Sequence, residues 1–249
     1  MFEQKKIIAV GLGEILWDLF PAGKQLGGAP ANFAYHAQVL GAQSCVVSAV
    51  GRDDLGNEIL HRVGGLGLDA SHLAVDAEHP TGTVSVQVDA AGVATYIIHQ
   101  DVAWDFIRSS PGTDELARRA DIVCFGSLAQ RSPVSRGMIR RFLGEMRDQS
   151  LRIFDINLRQ MFFDEPTIRQ SLALSNVLKL NEVELPIVTE LLKLPAQPDA
   201  AIESLLKEFN LRLVALTLGG SGSSLHTREQ ISRHAGYPVS ALADTVGAG

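Results

Sequence analysis

The chain has 249 residues, 46% hydrophobic and 20% charged, which supplies apolar surface for one large core and argues against a disordered polymer. Lys and Arg number 22 against 28 Asp and Glu, a formal net charge of −6, and no basic run interrupts that balance. General nucleic-acid or anionic-membrane binding is thereby excluded, and any phosphate must be held by local devices.

The first twenty residues are partly apolar, but Glu14 and Asp18 break the run and no small-residue cleavage site follows, so no signal peptide is expected. No stretch approaches the ~18 uninterrupted apolar residues of a membrane span. A cytoplasmic protein is the expectation. Cys45 and Cys124 each sit in an apolar run, and the histidines lack metal-ligand spacing, so both thiols read as buried and inert.

Taken in chain order, apolar runs at 7–10, 45–50, 122–125, 153–156, 177–180 and 213–218 read as strands buried on both faces. Helical patterns lie at 30–40, 54–64, 113–119, 134–149, 165–174, 182–193 and 198–209. The alternation predicts an α/β fold, a doubly wound, mainly parallel sheet with helices on both faces. Residues 83–100 instead alternate apolar and polar on either side of Ala90-Ala91-Gly92, a β-hairpin pattern. This hairpin is expected outside the main sheet, as a small lid at 81–105 inserted in one domain spanning 1–249.

Neither a full dinucleotide fingerprint nor a Walker-type loop is present; Gly11-Leu12-Gly13 lacks the third glycine. Glu14 and Asp18 are carboxylates in an otherwise apolar segment, costly unless solvated or paired with a ligand's hydroxyls. Gly27-Gly28-Ala29-Pro30-Ala31-Asn32 reads as a turn entering a helix, where backbone could approach a ligand closely and Asn32 could serve a polyol. Asp53, in Gly51-Arg52-Asp53-Asp54-Leu55-Gly56, reads as a helix cap. Asn181 and Glu184 have capping-box spacing, and Glu184 could also act through water on magnesium. Leu218-Gly219-Gly220-Ser221-Gly222 would let a nucleotide approach backbone, and Asp244-Thr245-Val246-Gly247-Ala248-Gly249 suggests N–H groups cradling phosphoryl charge.

In this order the segments resemble the ribokinase-like (pfkB-type) carbohydrate kinases, fructokinases above all. The likeness also takes in Gly126-Ser127-Leu128-Ala129, Asp155-Ile156-Asn157-Leu158-Arg159 and Thr217-x-Gly219. The fructokinase lean rests on Trp17, Ala29-Pro30, Val102-Ala103-Trp104-Asp105 and the Asp-x-Asn-x-Arg run. The resemblance implies ATP-dependent phosphorylation of a small sugar, fructose in the leading case. A nucleoside kinase of the same superfamily and a non-catalytic sugar- or nucleotide-binding module are the competing readings.

It implies that Asp18, Gly28, Asn32 and Trp104 meet the sugar, and that Asn181, Thr217, Gly219 and Gly222 meet the nucleotide. Magnesium falls to Glu184, a monovalent cation such as potassium to Asp244 and Thr245, and the anion hole to Gly247, Ala248 and Gly249, with Arg159 facing phosphate. A homodimer through the lid is a further expectation. The family motif continues after the residue matching Gly249 with an aspartate, the general base. The 249 residues as written are therefore expected to lack turnover.

Overall fold

In the computed structural model, which describes residues 6–88 and 94–237, the first apolar run is strand β1 (Ile8–Leu12). There follow β2 (Leu16–Phe20), β3 (Gly23–Gly27), helix α1 (Ala29–Val39), β4 (Gln43–Gly51), α2 (Asp54–Gly65), β5 (Leu73–Asp76), β6 (Thr83–Val88) and β7 (Ala94–Ile98). Next come α3 (Pro111–Arg119), β8 (Ile122–Phe125), α4 (Pro133–Glu145), β9 (Leu151–Asp155), α5 (Glu165–Leu174) and β10 (Val177–Asn181). Helices α6 (Glu184–Leu192) and α7 (Pro198–Glu208) precede β11 (Leu213–Thr217), β12 (Ser223–His226) and β13 (Ile231–His234). The chain divides into two compact units, Met1–Cys124 with Ala129–Ser150, and Phe125–Leu128 with Leu151–Gly249.

In the first unit the strand order is β8-β1-β4-β5, with β1–β4 and β4–β5 parallel. The order reverses at β1, because β4 lies on one side and β8 on the other. In open α/β sheets the crevice at the carboxyl ends of strands beside such a reversal is the usual ligand site. Trp17, Ile15, Ala34, Val46, Val50 and Ile59 form the core, and Trp17 is fully buried with its indole N–H on the Leu55 carbonyl at 3.0 Å. Helix α1 lies so close on β1 that a methyl at Gly11 would fall on the Pro30 carbonyl oxygen.

This unit also holds a second sheet, ordered β3-β2-β6-β7. The alternating segment does form an antiparallel pair, Val84 opposite Ile98 and Val88 opposite Ala94. It is not a bare hairpin, however: β2 pairs parallel with β6, Trp17 opposite Thr83, and antiparallel with β3, Asp18 opposite Gln25. A two-stranded ribbon is marginal in water, and two added strands give it a support the alternation pattern did not reveal. The turn residues 89–93 lie outside the described residues.

In the second unit β9, β10 and β11 run parallel, Lys179 standing opposite both Asp155 and Ala215, and β12 and β13 extend the sheet antiparallel. Phe125 and Phe154 stack with centroids 5.2 Å apart and are fully buried. In the first unit, α4 stops at Glu145 rather than continuing to residue 149. The tail after it is tied down instead, through Arg147 and Ser150 to the Ala120 carbonyl. Among the described residues no helix is long and apolar enough to cross a membrane.

Asp53 caps α2, its Oδ1 accepting from Gly56 N at 2.8 Å, and it also accepts from the backbone and hydroxyl of Thr81 just before β6. Partial burial acts to raise its pKa, but the hydrogen bonds from Thr81 and Gly56 outweigh it and hold the carboxyl below the usual 3.8. A depressed carboxylate contributes stability above its unfolded pKa and loses it as pH falls through the folded one. Asp53→Ala is expected to cost about 1–2 kcal/mol at pH 7. Urea unfolding of both chains should show that gap shrinking below about pH 4; a gap constant down to pH 3 would contradict it.

Candidate functional site

At the carboxyl end of β1 the chain turns through Gly13, at φ 144°, and passes Glu14, which is 1% exposed. The loop from β3 into α1 lies against that turn. Gly28 has φ 112°, and a methyl on it would fall on the Glu14 carbonyl oxygen; one on Gly27 would fall on Asp18 Oδ2. The half-buried Asp18 carboxylate thus lies over the glycine pair, on β2 rather than on a strand exit of the main sheet. Gly28 is the N-cap of α1 and offers no side-chain cap, while Asn32 N donates to the Gly28 carbonyl at 2.9 Å. The Asn32 side chain is half-buried and makes no hydrogen bond among the described residues. A carboxylate, an unpartnered amide and close-approach backbone form a set suited to several hydroxyls.

Trp104 is placed differently from the expectation. It is fully buried, and its indole nitrogen sits where a Cβ on Gly82 would lie. Its other neighbour is the Arg131 guanidinium, 4.1 Å from the ring centroid. Arg131 pairs with Asp105 through two bonds of 2.8 Å and also donates to the His99 carbonyl at 2.6 Å. The segment that carries Trp104 packs against β4, β5 and α4, in a cluster whose Arg131 carried no sequence signal. An acidic residue inside the apolar Val-Ala-Trp-Asp-Phe run was the available hint that a cation had to be near.

The second unit gathers the other expected residues at the carboxyl ends of its parallel strands. Asp155, Asn181 and Thr217 end β9, β10 and β11, and register sets Asp155 opposite Lys179 and Asn181 opposite Thr217. Lys179 Nζ is 3.1 Å from Asp155 Oδ1. Burial pushes the Asp155 carboxyl up, and the charges of Lys179 and Arg159 offset this only in part. Lys179 was not singled out from sequence, since a lysine in an apolar strand reads as a solvated exception until its register is known.

Thr217 Oγ1 is buried with no hydrogen-bond partner among the described residues. Beyond it, Gly219 has φ 53° and Gly222 φ 95°, and a methyl on Gly222 would fall on the His234 carbonyl oxygen, whereas Gly220 faces open space. An orphaned hydroxyl beside an open glycine turn fits a phosphate-bearing ligand. Arg159 is exposed, and its guanidinium donates to its neighbour's carbonyl, Leu158 O, at 3.1 Å.

The capping box forms as its spacing implies: Asn181 Oδ1 accepts from Val183 N and Glu184 N, and Glu184 Oε2 accepts from Asn181 N at 2.8 Å. Glu184 Oε1 is also engaged, by Leu158 N at 2.9 Å, and the residue is 4% exposed. With both oxygens on backbone donors, Glu184 fits an outer-sphere role toward a magnesium ion, reached through water, and not that of a bare ligand. Among the described residues no group of three or more His, Cys, Asp or Glu could hold a metal ion. Both cysteines are buried and free, and burial together with Asp69 pushes the Cys45 thiol up to about 12. Asp244, Thr245, Gly247, Ala248 and Gly249 lie outside the described residues.

Comparison with known proteins places the chain in a family. The profile of the pfkB family carbohydrate kinases matches residues 20–249. A fructokinase of Salmonella typhimurium is 29% identical over 252 residues, covering 96% of this chain and 79% of the relative. The sugar kinase PH1459 of Pyrococcus horikoshii is 29% identical over 255 residues, covering 96% of this chain and 77% of its own. Its crystal structure in complex with ATP superposes with a TM-score of 0.80 at 26% identity, over 97% of this chain and 80% of that one. A Vibrio cholerae fructokinase with fructose, ADP and potassium bound gives a TM-score of 0.82 at 24% identity, over 99% and 81%, and attests the fold alone. The chain belongs to the pfkB family of carbohydrate kinases.

Proposed function

We propose that this carbohydrate kinase transfers the terminal phosphoryl group of ATP to a hydroxyl of a small sugar, and that the sugar is fructose. The observation that carries the reading is the grouping of Asp18, the Gly27-Gly28 backbone and the Asn32 amide, unpartnered among the described residues, beside the end of β1. The named fructokinase relatives support the choice of sugar. Asp18 would accept and Asn32 would accept or donate hydrogen bonds to the hydroxyls. Arg159, Asn181, Thr217, Gly219 and Gly222 would serve the nucleotide. Magnesium, bound with the nucleotide and met through water by Glu184, would neutralise phosphate charge. Phosphoryl transfer asks mainly for positioning and charge stabilisation, which these groups can provide on an acidic protein.

The hydroxyl oxygen attacks phosphorus, the bond to ADP breaks, and the hydroxyl proton passes to a carboxylate. By resemblance that carboxylate is the aspartate after the residue matching Gly249, preceded by the anion hole of Gly247, Ala248 and Gly249. Asp244 and Thr245 would line a potassium site. The edge strands β3 and β7, with exposed Tyr96 and Ile97, support pairing of the second sheet with a second copy.

A coupled ADP-release screen of sugars and nucleosides tests the function, with residues 1–249 run beside a polypeptide extended by the aspartate and following helices. Turnover with fructose in the longer polypeptide alone is the expected result. Preference for a nucleoside would overturn the sugar assignment, and equal turnover by both would overturn that of the base. Asp18→Ala and Asn32→Ala are each expected to weaken fructose binding about tenfold or more, since a ligand hydroxyl left unpaired costs roughly 1–3 kcal/mol. Calorimetry giving wild-type affinity for both would remove this loop from the sugar site.

A further inference from the structure

The loop between β9 and α5 carries two residues in left-handed backbone, Asn157 at φ 40° and Gln160 at φ 49°, flanking Leu158 and Arg159. Such conformations persist only where surrounding contacts over-determine them. At its start Ile156 N donates to the Lys179 carbonyl of the neighbouring strand at 3.0 Å, and near its end Phe162 N donates to the Arg159 carbonyl at 3.0 Å. At the centre, the Leu158 amide donates to Glu184 Oε1, a carboxylate 26 residues away in sequence. Glu184 is itself held by Asn181 N on its other oxygen, and the Asn181 turn is fixed to β11 because Glu182 N donates to the Thr217 carbonyl at 3.0 Å. One chain of bonds thus runs from the Thr217 strand end, through the Asn181 turn and Glu184, to the peptide preceding Arg159.

We propose that Glu184 is the positioning residue for Arg159: its carboxylate bridges Leu158 N and Asn181 N and so fixes the loop that presents the guanidinium to phosphate. Charge-assisted bonds to two backbone donors are strong enough to hold a strained loop, and neutralising the carboxylate weakens both. The inference rests on the reading of Arg159 as a phosphate contact. It is separate from the outer-sphere magnesium role of Glu184 in the proposed function, because it concerns the loop that the carboxylate holds.

Two measurements test the positioning role. In the polypeptide that releases ADP, Glu184→Gln is expected to raise KM for ATP about tenfold at saturating magnesium, where a change in magnesium affinity no longer contributes. In an Arg159→Ala background the same substitution should change KM less than twofold, because the group it positions is gone. Glu184→Asp keeps the charge but cannot span both donors, and it should behave like Glu184→Gln. An unchanged KM for ATP at saturating magnesium, or full additivity with Arg159→Ala, would overturn the proposal. Independently of turnover, amide hydrogen exchange of Leu158 in residues 1–249 should accelerate at least tenfold in Glu184→Gln or Glu184→Asp. Unchanged protection of Leu158 would also overturn it. Absence of ADP release in the unsubstituted protein would instead strike the proposed function, while the exchange measurement still decides the role of Glu184.

Discussion

Arg131→Ala is expected to destabilise the first unit by about 3–5 kcal/mol, the cost of leaving a buried carboxylate without its cation. The side chains of Arg131 and Asp105 are 7% and 5% exposed, and two bonds of 2.8 Å join them. The same guanidinium covers the Trp104 ring and donates to the His99 carbonyl, where the chain returns from β7. Asp105 Oδ2 in turn accepts from Val102 N at 3.3 Å. Removing Arg131 therefore leaves an uncompensated charge and frees the return from the second sheet together. Replacing both members by leucine removes the stranded charge, and the double variant should recover much of the loss. Urea unfolding of the two single variants and the double one measures this. A loss under about 1 kcal/mol for Arg131→Ala would place the pair among solvent-screened surface bridges.

Gly28→Ala is expected to cost about 2–5 kcal/mol, from strained backbone and overpacking together. At φ 112° an L residue is strained whatever the space, and the added methyl would fall on the Glu14 carbonyl oxygen with the Glu14 carbonyl carbon and Ile15 Cα each 3.1 Å away. Those are backbone atoms at the end of β1 and cannot swing aside. Gly27→Ala makes an instructive contrast, because its methyl meets the far end of the Asp18 side chain, which can move. Gly27→Ala should thus keep most of the stability and lose sugar affinity through a displaced carboxylate, while Gly28→Ala loses both. Thermal unfolding and fructose calorimetry on the two variants check this. Equal stability loss in both would show that the Asp18 carboxylate is as immovable as the backbone.

Much of the main architecture was legible locally. Runs such as Ile-Val-Cys-Phe, Val-Leu-Lys-Leu and Leu-Val-Ala-Leu-Thr-Leu are strands β8, β10 and β11 because a strand covered on both faces must be apolar along its whole length. Asp53 and the Asn181–Glu184 box were readable as caps because capping is settled within one helical turn. Strands β2 and β3 were not legible. Leu16–Phe20 reads as the tail of the first strand, and Gly23–Gly27 has glycine at both ends and little β preference. They are strands because β6 and one another supply their hydrogen bonds.

The site divides along the same line. Gly28, Asn32, Asn181, Glu184 and the Gly219–Gly222 turn could be named as candidates from sequence because each is a chemically suitable residue at a turn or helix start, and Asp18 because it is a carboxylate in an apolar segment. What the sequence by itself determined was this inventory and the alternation of the long apolar strands with helices, since both depend on residues within a few positions of one another. Only the tertiary structure decided that Trp104 packs beneath Arg131, and that Lys179 meets Asp155. It alone decided that Glu184 reaches across 26 residues to hold the loop of Arg159. Those pairings depend on strand register and on burial, where an ionised or polar group must find whichever partner the packed chain brings within hydrogen-bonding distance, and sequence spacing carries no record of that distance.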